Sequence, residues 1–65
     1  MVKDKAVRAL KAYMDRTKRG PSEIAETLGV DRTLIWRWAM GERKPNRENV
    51  KAIAQLVRLP VVDLL

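Results

Sequence analysis

Gly29 stands between two short runs whose apolar residues recur at helical spacing, "PSEIAETL" before it and "RTLIWRWAM" after it. In the first run Ile24, Ala25 and Leu28 fall on one side; in the second, Leu34, Ile35, Trp38 and Ala39 do. Glycine takes the left-handed conformation that ends a helix at no steric cost, and Asp31 is a good cap for the helix that follows. Two short helices joined by "LGVD" have the spacing of a helix-turn-helix. The rest of the chain has to fold around that pair.

The flanks read as helices too. From Asp4 to about Arg16 an apolar stripe runs through Ala6, Val7, Leu10, Tyr13 and Met14, with Lys5, Arg8 and Lys11 mostly off it. "TKRGP" breaks that pattern, and Pro21 suits the first turn of the next helix because its missing N–H has no helical partner there. Gly41 closes the helix that begins at Arg32. Asn46 caps a fourth helix running to about Val57, with Val50, Ile53, Ala54 and Val57 inward. Pro60 opens a last short turn, "PVVDLL". Alternating strand patterns are lacking. The expectation is an all-α fold, a compact bundle of five short helices forming one domain over residues 1–65, with the helix-turn-helix at about 21–40.

Composition narrows the chemistry. The 65 residues include no cysteine and no histidine, which removes disulfides, Cys/His zinc frameworks and Ser-His or Cys-His catalysis. The carboxylates are scattered over helix surfaces, so neither an enzyme nor a bound metal or cofactor is expected, and no small-molecule ligand. No apolar run approaches the roughly 20 residues of a membrane span, and no signal peptide is visible at the start. The expected setting is the cytoplasm.

Charge supplies the positive clue. The net charge is +6, but it is unevenly spread: residues 32–47 hold five basic groups and one acidic, residues 21–31 three acidic groups alone. Arg32, Arg37, Arg43, Lys44 and Arg47 crowd one short segment, which points to a polyanionic partner. At 100° per residue, Arg32, Thr33, Trp36, Arg37 and Met40 cover an arc of about 140° on the third helix, opposite Leu34, Ile35, Trp38 and Ala39. The two tryptophans therefore part company. Trp38 belongs to the core, and Trp36 shares a face with two arginines.

Taken together, "SEIAETLGV", "IWRWAMGERKP", "ENVKAIAQL" and the apolar "PVVDLL" resemble the phage repressor and Cro type of helix-turn-helix, the lambda-repressor-like DNA-binding domains. The likeness runs from Leu10 to Leu64. It implies a five-helix fold, operator binding and a homodimer. By position it maps base reading onto Arg32, Thr33, Trp36 and Arg37, and phosphate contacts onto the start of helix two, at Ser22, and onto the "GERKPN" loop. Arg43, Lys44 and Arg47 flank a helix start, where free N–H groups favour anions, and Asn46 either caps that helix or bonds phosphate. Leu59, Val61, Val62 and Leu65 form the candidate dimer interface, unless the tail simply packs on helices one and four. The chain departs from the family pattern in several places. Lys18 and Arg58 stand where glycine is common, Arg19 where an apolar residue is common, and Gly20 where Ser or Thr is common. Pro21 replaces a glutamine that holds a phosphate, leaving Ser22 or Arg19 to do so. Met14 replaces a basic residue that helps fix the end of helix three.

The leading expectation is a sequence-specific double-stranded DNA-binding transcriptional regulator, a small repressor of the phage or prophage kind acting on a near-palindromic operator as a homodimer. With 65 residues no separate effector domain is expected. An antitoxin that represses its own operon uses the same fold. A different class of reading is a protein-interaction module that has lost DNA binding and docks through Trp36 and Met40; the arginines on that face argue against it. The basic groups of helix one are expected to be solvated.

Overall fold

A computed structural model describes residues 4–65. Among them the architecture is all-helical: α1 (Lys5–Thr17), α2 (Pro21–Leu28), α3 (Arg32–Met40), α4 (Arg47–Val57) and a 3-10 turn at Val61–Leu64. The fold is thus four α-helices. The segment expected as a fifth helix is a single tight turn of four residues.

Local chemistry sets these boundaries. The Asp4 carboxylate accepts the N–H groups of Ala6 and Val7 at 2.9 and 3.2 Å, starting α1. Asp31 accepts from Thr33 N–H at 2.7 Å and Asn46 from Asn49 N–H at 2.8 Å, starting α3 and α4. Gly20 caps α2 without a side chain, with Pro21 in the first turn. All four helices end in a left-handed residue. Its successor donates back across the end, as Val30 N–H does to Ala25 O at 3.0 Å and Glu42 N–H to Arg37 O at 2.9 Å. Glycine fills that position after α2 and α3, but Lys18 and Arg58 fill it after α1 and α4, each at φ 60°. These are the two places where the sequence pattern lacks an expected glycine. The backbone keeps the geometry and carries the strain.

The stripes then meet. Ala6, Val7 and Leu10 of α1, Ile24 and Ala25 of α2, Ile35 and Trp38 of α3, and Val50, Ile53 and Ala54 of α4 make one buried cluster, closed by Leu64. Tyr13, Met14, Leu28, Val30, Leu34 and Val57 pack around it, partly buried. The most extensive packing between elements is α2 on α3. No helix among the described residues is long and apolar enough to cross a membrane.

Candidate nucleic-acid interface

The side chains on α3 divide as the 100° rotation requires. Ile35 and Trp38 are buried, Leu34 and Ala39 are half-buried, and Arg32, Thr33, Trp36, Arg37 and Met40 are exposed. A single residue separates the tryptophans, yet Trp36 is 58% exposed and Trp38 only 1%. The outer face is therefore available along its length.

Two open clefts extend it. One, of about 360 Å³, lies between the first turn of α2 and the start of α3 and is lined by Pro21, Ser22, Arg32, Thr33 and Trp36. It brings Ser22 to the three base-reading candidates nearest the start of α3. Since no side chain caps α2, the N–H groups of Ser22 and Glu23 have no partner within the helix. The other cleft, of about 410 Å³, is lined by Asp31, Thr33, Leu34, Arg37 and Arg43, and joins Arg37 to the loop after α3. Lys44, Asn46 and Arg47 are exposed but line neither cleft. Of the two roles open to Asn46, its side-chain oxygen takes the cap; its amide N–H groups remain as donors. Pro45, between them, is buried and anchors the loop.

Asp31, the cap of α3, lies on this surface beside Arg37 and Arg43. Its carboxyl is held below the ordinary aspartate value, first by the Thr33 backbone N–H and then by the Thr33 hydroxyl, against an opposing cost of desolvation, with the charges of Arg32 and Arg37 contributing last.

One contributor escaped the sequence reading. The Lys11 ammonium donates to the carbonyl of Ala39 at 3.3 Å, linking α1 to the last turn of α3, and Lys11 and Trp36 line a common third cleft. Lys11 is thus not simply solvated. It lies three residues before Met14 on α1, the position where the resemblance led to expecting a basic residue. The signal was there in the 3-residue spacing, which keeps both on one helix face.

At the C-terminal end the expected interface residues split. Leu59, Val62 and Leu65 are exposed, Val61 packs partly buried against the core, and Leu64, which was not singled out, takes the inward place. The tail thus packs on the core through Val61 and Leu64 and leaves Leu59, Val62 and Leu65 outward. Among the described residues no group of three His, Cys, Asp or Glu could hold a metal ion.

Fold and surface define a class: a small all-helical domain built on a helix-turn-helix with a basic outer face. Comparison with known proteins agrees with that class. The chain is 37% identical over 49 residues to an uncharacterized HTH-type transcriptional regulator of Haemophilus influenzae, a match covering 75% of this chain and 20% of that protein. The chain thus spans about a fifth of the length of the curated relative it matches. No protein-family model matches the chain, and no solved structure matches it significantly.

Proposed function

We propose that the chain is a sequence-specific double-stranded DNA-binding transcriptional regulator, a small repressor of the phage or prophage kind that reads the major groove with α3. The observation that carries this reading is the single face on which Arg32, Trp36 and Arg37 stand exposed while Trp38 is buried behind them. A helix fits the major groove, and the arginine fork matches guanine O6 and N7 together. Arg32 and Arg37 are the main readers, with Thr33 and Trp36 in apolar contact beside them. Ser22 and the loop residues Arg43, Lys44, Asn46 and Arg47 hold the flanking phosphates. The protein acts in the cytoplasm of a bacterium, on the nucleoid.

Size favours a homodimer on DNA. The nine residues of α3 span about 14 Å, or about four base pairs, too few to single out one site in a genome. Half-sites one helical turn apart are about 34 Å from centre to centre, so a single α3 reads one half-site. A second copy, paired through Leu59, Val62 and Leu65, supplies the second half of a near-palindromic operator. An autorepressing antitoxin would use the same surfaces. Docking of a protein on Trp36 and Met40 draws support from their exposure alone, and the arginines around them favour DNA.

Selection of bound duplexes from random DNA tests the reading. The wild-type chain enriches a defined sequence, and Arg32→Ala combined with Arg37→Ala abolishes the enrichment while the helical circular dichroism and its melting persist. Enrichment that survives the double substitution defeats the proposal.

A further inference from the structure

The cleft at the start of α3 places an arginine and a tryptophan on one binding surface. Arg32 and Trp36 are one helical turn apart, so their backbones are separated by about 6 Å along the axis, whereas stacked base pairs repeat every 3.4 Å. Both side chains line one open cleft, and two groups on a common cleft reach the same or adjacent base pairs rather than pairs farther apart. The chemistry of the two is different. Arg32 offers a donor fork. Trp36, 58% exposed, offers an apolar plane with one N–H at its edge, and with Pro21 and Thr33 it walls the cleft. Such a wall has little to give a hydrogen-bonding base edge. The apolar group that the major groove presents is the methyl on C5 of a pyrimidine.

We propose that this cleft reads a 5-methylpyrimidine next to the guanine taken by Arg32, and reads it through the methyl group, so that thymine and 5-methylcytosine both serve. The assignment rests on the DNA-reading proposal above and deepens it: it names the base step, and it makes binding sensitive to cytosine methylation.

The test uses the duplex recovered by selection from random DNA. The guanine read by Arg32 is the one whose preference disappears in Arg32→Ala. At the neighbouring pyrimidine four duplexes are compared, carrying thymine, uracil, 5-methylcytosine or cytosine, so that each pair differs by one methyl group. Loss of the methyl weakens wild-type binding about fourfold within both pairs, the worth of one buried carbon group. The difference vanishes in Trp36→Ala, whose retained fold is checked by its melting curve, and persists in Trp36→Phe. A methyl effect below about 1.5-fold, or one that Trp36→Ala leaves intact, overturns the inference while the regulator reading stands. Selection that enriches no sequence at all overturns both.

Discussion

Lys11 on α1 donates its ammonium to the carbonyl of Ala39, 28 residues later in the chain, at 3.3 Å. That carbonyl lies in the last turn of α3, whose carbonyl groups have no partner within the helix, and a cation there also suits the negative end of the helix dipole. The contact ties the far end of the reading helix to the first helix. In Lys11→Met the apolar stem stays and the donor goes. A solvent-exposed cation at a helix C-terminus is worth about 0.3–1 kcal/mol, so the melting temperature falls by a few degrees. DNA affinity falls with it, at an unchanged slope of log K against log salt, because a positioning residue releases no counterion. A slope shallower by about 0.9 would instead make Lys11 a phosphate contact.

Trp36 and Trp38 give opposite results on truncation. Trp38 is 1% exposed, and its indole N–H finds no partner among the described residues, so its contribution is packing alone. Trp38→Ala removes about 3–5 kcal/mol, enough to unfold a domain of this size, which buries only about 60% of its unfolded surface. Trp38→Phe is far milder, since it deletes the orphan donor along with part of the ring. Trp36→Ala leaves the urea midpoint within the range of ordinary surface substitutions, about ±0.5 kcal/mol, and weakens specific DNA binding more than nonspecific binding.

Two helix ends carry a removable cost. Lys18 and Arg58 sit at φ 60°, where a side chain with a Cβ is less at ease than glycine by about 1–2 kcal/mol. Glycine also frees the unfolded chain, which returns part of that gain. Lys18→Gly and Arg58→Gly each stabilise by about 0.5–1 kcal/mol, read as a rise in melting temperature of about 2–8 °C for a domain this small. Alanine at either position gives no such rise.

Most of the fold is legible because its signals are local. Asp4, Asp31 and Asn46 each bond an N–H two or three residues ahead, so the starts of α1, α3 and α4 can be read from one residue and its successors. Trp36 and Trp38 can be assigned to opposite sides from helical rotation alone. What escapes is either distant or of another period. The partner of Lys11 is 28 residues away; the 3-residue spacing to Met14 marks the helix face but not the carbonyl it meets. The tail follows a 3-10 turn, with three residues per turn, so Val61 and Leu64 align inward and Val62 and Leu65 outward; an α-helical reading groups them differently. The cleft at Pro21 depends on how α2 lies against α3, a matter of packing and not of pattern.

Asp31 gives the cap of α3 a pH dependence. Its folded carboxyl titrates below the ordinary value of 3.8, so the folded state prefers the ionised form. The resulting stability is present above the unfolded value and is lost as pH falls through the lowered folded one. Asp31→Asn keeps a capping oxygen but loses the charge that the Thr33 N–H, the Thr33 hydroxyl and the two arginines favour. The wild type therefore exceeds the variant in thermal stability by a margin that is constant near neutral pH and shrinks on acidification below about pH 4. Melting curves of both proteins between pH 7 and pH 2.5 check this. A margin that widens toward low pH would mean that the carboxylate is better stabilised in the unfolded chain.

Lys44 and Arg32 separate affinity from specificity. Lys44 is exposed on the loop before α4, at a helix start whose free N–H groups favour an anion. An ammonium that holds a phosphate displaces about one counterion, worth a slope of about −0.9 in log K against log salt. Lys44→Ala accordingly weakens binding by a similar factor on the selected duplex and on random DNA, flattens the salt dependence by about 0.9, and leaves the selected sequence unchanged. Arg32→Ala does the reverse at one position: it costs about 1–3 kcal/mol on the selected duplex and relaxes the preference for one guanine. Titrations of both variants at several salt concentrations, on both duplexes, give the four slopes needed. If Lys44→Ala alters the selected sequence, or Arg32→Ala weakens all duplexes alike, the two residues have exchanged roles, and the reading face lies on the loop side of α3.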